Sequence, residues 1–182
     1  MKRIRLRHTG FLALAIALLA GCNGSNEPKS VAQQAVAIES RDECHLCGML
    51  IANFPGPKGE AYGRGETEVK KFCSTRDLFA WALDPEYRHR VESIFVHDMA
   101  VTPWDHPDDE TFIDARSAWY VIDHSRPGAM GPTLASFSRQ DDARAFAEQY
   151  GGKLIGFDEI TLETLSQLTL AVSKSDHQGM QH

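Results

Sequence analysis

The 182-residue chain lacks the clustered positive charge that a nucleic-acid binder needs. Four of its 19 Lys and Arg (Lys2, Arg3, Arg5 and Arg7) fall in the first 21 positions, which hold no acid, and the other 15 face 25 Asp and Glu. Binding along a phosphate backbone draws on counterion release by clustered Lys and Arg, so this acidic body excludes nucleic acid as a partner. There is no Gly-x-Ser-x-Gly elbow, no Gly-x-x-x-x-Gly-Lys phosphate loop and no His-Glu-x-x-His pair, which removes the commonest hydrolase, nucleotidase and metalloprotease mechanisms. Cysteine is scarce, with four residues, Cys22, Cys44, Cys47 and Cys73. Nor is there a long hydrophobic run near the start: Phe11 to Ala20 is half the roughly 20 residues that a spanning helix needs.

What that short run does have is the layout of a secretory signal, with basic residues before it and Leu19-Ala20-Gly21-Cys22 after it. Leu-Ala-Gly-Cys resembles the lipobox of bacterial lipoproteins, in which cleavage precedes the Cys and the new N-terminus is acylated. Residues 1–21 are therefore expected to be a signal peptide and Cys22 the lipidated anchor, facing the periplasm. Several acyl chains hold a protein to a bilayer far better than one, at about 0.8 kcal/mol per buried methylene. Residues 22–40 are polar and small, as a flexible tether is, and 173–182 are expected to form a disordered tail.

Between these ends one pattern occurs twice. Phe72, Asp77, Ala80, Trp81 and Ala82 recur at a constant offset downstream as Phe137, Asp142, Ala145, Phe146 and Ala147. In each copy a strand-like run meets a Ser-initiated cap signal, Ser74-x-x-Asp77 or Ser138-x-x-Asp141, and then a helix. The first helix stops at Asp84-Pro85 and the second at Gly151-Gly152, and a strand follows each. With a further strand upstream of each copy, the expected fold is α+β: two tandem ββαβ modules, 41–106 and 107–172, packed together, with a C-terminal helix over 162–170. A module of about 60 residues is marginal alone, which is why the two are expected to share a core. Asp114, Arg116 and Trp119 are expected to form a buried or half-buried hydrogen-bonded set in the second module.

The chemistry concentrates in Cys44-His45-Leu46-Cys47-Gly48-Met49, with two thiols, an imidazole and a thioether in close succession. A thioredoxin-like pair needs its Cys-x-x-Cys at a helix N-terminus after a buried strand, and the Glu39-Ser40-Arg41-Asp42-Glu43 lead does not supply one. A closed zinc knuckle needs a second ligand pair with its own short spacing; Cys73 and a His are available without one, and zinc remains open as a second metal. Thiolate with thioether suits Cu(I), and Gly48 allows the turn that aims Cys47 and Met49 at one centre. Met130 lies in the Gly- and Pro-dense stretch 124–132, expected to be the hairpin loop of the second module, and has no periodic apolar face to join. An enzymatic alternative is a periplasmic thiol-disulfide oxidoreductase or thiol-dependent lyase built on the Cys pair, with His45 as the adjacent base.

These segments resemble the NosL family of accessory lipoproteins. The resemblance runs from Cys44 to about Ile160 through Cys44-His45-Leu46-Cys47-Gly48-Met49, Pro55-Gly56-Pro57-Lys58, Phe72-Cys73-Ser74-Thr75-Arg76-Asp77, Asp114-Ala115-Arg116-Ser117-Ala118-Trp119-Tyr120-Val121 and Gly128-Ala129-Met130-Gly131-Pro132. It implies a Cu(I)-binding chaperone rather than an enzyme, anchored on the periplasmic side of a bacterial membrane. Its implied task is to deliver copper for maturation of nitrous oxide reductase, with that enzyme and its dedicated ABC-type membrane assembly complex as partners. Cys47 and Met49 match the family's Cys-x-Met pair and Met130 its second-module Met, and Cys44 joins them as an expected metal ligand. Asp123-His124 departs from the pattern, which has Gly and small residues there.

Overall fold

The two cores of the protein are organised by one motif used twice. The structure, a computed structural model, describes residues 32–168. The expected signal peptide, the expected lipid anchor Cys22, the first part of the expected tether and the C-terminal tail lie outside the described residues.

The first copy consists of β1 (Gly59–Gly63), β2 (Lys70–Phe72), α1 (Thr75–Ala82) and β3 (Val91–His97). The second consists of β5 (Trp119–Ile122), β6 (Ala135–Phe137), α2 (Gln140–Tyr150) and β7 (Lys153–Gly156). In both, the first strand of the motif lies at the centre with the other two antiparallel on either side, giving the orders β2-β1-β3 and β6-β5-β7. The register repeats too, since Gly59 faces Phe72 and Val96 while Trp119 faces Phe137 and Gly156. This is the α+β architecture of paired ββαβ modules. A helix over 162–168 follows, and its Leu165 and Leu168 are buried in the first core.

A short strand, β4 (Phe112–Asp114), lies within the range expected for the second module but pairs with β3 and extends the first sheet. Core and hydrogen bonds likewise run across the motif boundary. The larger apolar cluster joins Phe72, Leu78, Phe79 and Val96 to Tyr120, Ile122, Leu134 and Ile155. Ser136 Oγ donates to the carbonyl of His97 at 2.7 Å, and Met99 N–H donates to the carbonyl of Ser136 at 2.8 Å. Burying a shared apolar surface is what a motif of this size requires. Gly59 sets the approach of α1 to its sheet: a Cβ there would stand 2.4 Å from Leu78 Cδ2.

Three local expectations are corrected. Ser138 does not cap α2; the cap is Arg139, which makes no side-chain cap bond. At the constant offset of the repeat Gln140 answers to Thr75 as first helical residue, which puts Arg139 where Ser74 stands in the first copy. Ser138 is thus the counterpart of Cys73. Asp114 and Arg116 are exposed, and Asp114 Oδ1 accepts from the Arg116 N–H to cap a single 3-10 turn, instead of forming a buried network. Residues 33–38, assigned to the tether, are bound to the sheet: Val36 N–H donates to Glu60 Oε2, Tyr62 Oη to the carbonyl of Gln34 and Ile38 N–H to Asp109 Oδ2. Asp123 takes φ 59, and Asp is among the few side chains that tolerate this left-handed region.

Candidate metal centre

Two short segments, well separated along the chain, build the centre. The first is a closed turn. Cys44 N–H donates to the carbonyl of Met49 and Gly48 N–H to that of Cys44, both at 2.8 Å, while Glu43 bridges Leu50. Gly48 closes the turn at φ 73, where a Cβ is penalised in other residues. His45 N–H donates to the carbonyl of Lys71 at 2.8 Å, which pins the turn beside β2.

The second segment is the passage from β2 into α1. Cys73 follows the last residue of the strand, and Ser74 caps the helix by accepting from Asp77 N–H at 3.1 Å. The cap fixes the first turn, so Asp77 projects back toward Cys73, one helical turn earlier. Cys73 Sγ lies 3.4 Å from Asp77 Oδ2, Cys44 Sγ 3.6 Å from the same oxygen, and Cys47 Sγ 3.6 Å from Cys73 Sγ. One donor atom from each of Cys44, Cys47, Cys73 and Asp77 falls within 4.8 Å of all the others. Two thiolates on one ion, with bonds of about 2.3 Å, stand roughly 3.7 to 4.0 Å apart. The four donors are close enough together for small side-chain shifts to bring them around a common ion.

The three cysteines are free thiols and are graded in exposure. Cys73 is completely buried and Cys44 is 3% exposed, whereas Cys47 is open to solvent. Their protons are unequally held. The hydrogen bond from Cys73, together with backbone N–H groups of Cys73, Cys47 and Leu46, lowers the Cys44 thiol to about 5, against the opposing effect of burial. That same bond, burial and the Asp77 charge push Cys73 well above the usual thiol range. Partial burial, then contact with Cys44, raises Cys47. The bond between them thus favours the charged form of Cys44 and the protonated form of Cys73. Such a crowd of potential anions is an electrostatic seat for a cation.

A buried cation stands close by. Lys58 is 3% exposed, and its Nζ donates to the carbonyls of Phe54, Pro55 and Gly56 at 2.6, 3.0 and 2.9 Å. Burial lowers it to about 8, opposed by the charge of Asp109. The Pro-Gly-Pro-Lys segment so held reaches α1 through the Pro57 carbonyl, which accepts from Thr75 N–H at 3.2 Å.

Of the residues singled out from sequence, Cys44 and Cys47 are brought together. Met49 is half-buried, just past Gly48. Met130 is 51% exposed on the turn formed by the Gly128–Gly131 bridge, within the β5–β6 connection. That connection is fastened to α1, since Thr133 Oγ1 lies 2.9 Å from Thr75 Oγ1, which also donates to the Leu134 carbonyl at 2.7 Å. Met130 is thus carried close in sequence to a bond with the helix turn that bears Asp77. His45 turns its ring edge-on toward Phe72 and Trp81, with centroids 5.9 and 5.7 Å away. Sequence reasoning considers Cys73 only as a possible zinc ligand beside a His, leaves it out of the copper ligand set, and does not weigh Asp77 as a ligand. The signal is there in the i, i+4 spacing of Cys73 and Asp77 across the Ser74 cap.

His97 is a completely buried core histidine, its Nδ1 accepting from Lys58 N–H at 3.0 Å while its Nε2 lies 3.4 Å from Asp109 Oδ1 without a hydrogen bond. Burial lowers its pKa, which leaves the ring neutral.

Comparison with known proteins joins these parts. The NosL family model matches residues 35–165. The chain is 44% identical over 169 residues to the copper-binding lipoprotein NosL of Stutzerimonas stutzeri, covering 92% of this chain and 86% of that one. It is 36% identical over 164 residues to the copper-binding lipoprotein NosL of Achromobacter cycloclastes, covering 87% and 82%. The crystal structure of the copper chaperone NosL from Shewanella denitrificans is 61% identical with a TM-score of 0.70, over 71% of this chain and 97% of that one. The match takes in the Cys-rich turn, the strand-to-helix passage and the Met130 connection in one stretch, and the chain belongs to the NosL family.

Proposed function

We propose that this chain is a membrane-anchored periplasmic Cu(I) chaperone that delivers copper for maturation of nitrous oxide reductase. Cys22 carries the lipid, and the assembly partners are the reductase and its dedicated ABC-type membrane complex. The observation that carries the reading is the gathering of three free thiols, one of them exposed, in a chain whose relatives are named for copper.

Cu(I) is soft and accepts two or three sulfur ligands. Cys44 supplies a ready thiolate from inside, Cys47 a second from the surface, and Met49 and Met130 are the thioethers at the outer side. Thiolates provide most of the affinity and compete with protons; thioethers add ligation without charge. An open site of this kind lets a recipient's ligand enter before the last donor leaves, so the metal moves by exchange and the protein performs no turnover. Leu46 and Leu50, exposed on either side of Cys47 in the sequence, give the exit an apolar rim for a docking surface.

The thiol-oxidoreductase reading fares worse on the same geometry. A redox catalyst needs its low-pKa thiol accessible to substrate. Here the lowered thiol, Cys44, is buried and the accessible one, Cys47, is raised. Metal analysis of protein purified without oxygen, run beside an insulin-disulfide reduction assay, separates the two. The chaperone gives one copper per chain after loading and no reductase activity. Disulfide reduction that survives removal of both Met49 and Met130 contradicts it.

A further inference from the structure

The outer face of the first sheet is roofed by a segment that the body grips by its backbone. α1 packs on one face, where Gly59 meets Leu78. Glu60 and Tyr62 alternate with Gly59 along β1 and so face the other way. Residues 33–38 cross that second face. Glu60 Oε2 accepts from Val36 N–H at 2.9 Å and Asp109 Oδ2 from Ile38 N–H at 2.8 Å, while Tyr62 Oη donates to the Gln34 carbonyl at 2.8 Å and Lys71 Nζ to that of Ala37 at 2.6 Å. The strap returns little apolar burial, since Gln34, Val36 and Ala37 are exposed and Ile38 is only half-buried against the core. Docking also has a cost. Glu60 is completely buried and its Oε1 has no hydrogen-bond partner, so lifting the strap gives that oxygen back to water. A segment held by a few polar bonds, over a buried orphan acceptor, is one that opens well before the whole domain unfolds.

Lys71 joins this strap to the thiol turn. Its ammonium bridges the Ala37 carbonyl and Asp42 Oδ2, the latter at 2.5 Å, and its own carbonyl accepts from His45 N–H at 2.8 Å. Asp42 Oδ2 also accepts from Glu39 N–H at 2.7 Å, and the Asp42 carbonyl accepts from Ile51 N–H at 3.0 Å, just outside the bond that closes Cys44 onto Met49. Strap and turn are therefore fastened at one residue and separated in sequence only by Glu39 to Glu43. We propose that residues 33–38 are a releasable latch: docked, they hold the turn that carries Cys44 and Cys47 shut through Lys71 and Asp42, and released, they let it open. The latch belongs to the chain with or without a metal. Its use in delivery, as the step that frees donor sulfurs for a recipient, rests on the copper reading.

The test uses the full chain, reduced and metal-free. Amide hydrogen exchange is followed residue by residue at low denaturant concentrations, and iodoacetamide alkylation of each Cys by mass spectrometry. In wild type the amides of Ile38, Cys44 and His45 are expected to exchange through openings with a shallower denaturant slope than that of the buried Ala143 in α2. Val36→Pro with Tyr62→Phe deletes two strap bonds and leaves Lys71, Asp42 and the turn in place. It is expected to speed exchange at Ile38, Cys44 and His45 by a common factor of roughly 10 or more, and alkylation of Cys44 with it. Lys71→Met should do the same, and Lys71→Arg, which keeps a donor for Ala37 and Asp42, should restore the wild-type rates. Faster exchange at Ile38 with Cys44 and His45 unmoved overturns the latch. So does a wild type whose turn amides share the slope and rate of Ala143, an outcome that needs no variant to fold. A Cu(I) titration of wild type keeps the readings apart: copper bound with an uncoupled turn sinks this inference alone, and a coupled turn without copper sinks the copper reading alone.

Discussion

Cys47 Sγ lies 3.6 Å from Cys73 Sγ, although one belongs to an exposed turn and the other to the buried end of a strand. The meeting depends on a few backbone bonds, and each can be broken separately.

Gly48 is the simplest to test. Its φ of 73 costs any other residue the left-handed penalty, and a Cβ there meets nothing within 4 Å. Gly48→Ala should therefore destabilise by about 1 kcal/mol through the backbone alone. Urea unfolding should show that modest loss, and Cu(I) affinity should fall with it as Cys44 and Cys47 shift. A loss of several kcal/mol would mean that the turn is held by more than its own geometry.

Thr75 ties the Met130 connection to the helix. Its hydroxyl meets Thr133 Oγ1, donates to the Leu134 carbonyl and accepts from Leu134 N–H at 3.1 Å, all buried. Thr75→Val keeps the shape and orphans these partners, at a cost of roughly 1 to 3 kcal/mol. Denaturant midpoints should record the cost. Cu(I) affinity should drop further than in a control of equal instability made in α2, because the Thr75 bonds fasten the Met130 connection to the helix that follows Cys73.

Much of this architecture is legible in the sequence. The recurrence of Phe72, Asp77 and Trp81 as Phe137, Asp142 and Phe146 marks both helices, because each copy has a strand end, a first-turn acid and an aromatic facing a core. The same offset shows why Ser138 misleads: the cap position is 139, and a Ser just before it lies in the slot that Cys73 fills in the other copy. Cys73 is hidden for a different reason. Its partners Cys44 and Cys47 belong to another segment, and which thiols meet is decided by strand pairing and by the His45–Lys71 bond, which no local spacing encodes. The strap at 33–38 is not legible because it is held mainly by backbone N–H and carbonyl groups, which no side chain of Gln33-Gln34-Ala35-Val36-Ala37-Ile38 announces.

Glu60 beneath that strap sets a pH dependence. It is completely buried, and burial raises its carboxyl from 4.5 to about 7. The folded state thus keeps a proton that the unfolded state releases, so stability falls as pH rises from about 4.5 to 7. His124, lowered to about 4 by burial, acts in the opposite direction between about 4 and 6.5. Comparison with Glu60→Gln cancels the histidine. The variant's advantage over wild type should grow by roughly 2 to 3 kcal/mol across pH 4.5 to 7. A constant difference in chemical-denaturation midpoints over that range would show that Glu60 titrates normally.

The most direct measurement is competition for Cu(I) between the reduced full chain and a calibrated Cu(I) chelator, without oxygen. Wild type should hold one Cu(I), Cys47→Ser should lose tight binding, and Met130→Ala should bind about 10-fold more weakly. Wild-type affinity in both variants would contradict a copper centre that joins the thiol turn to the Met130 loop.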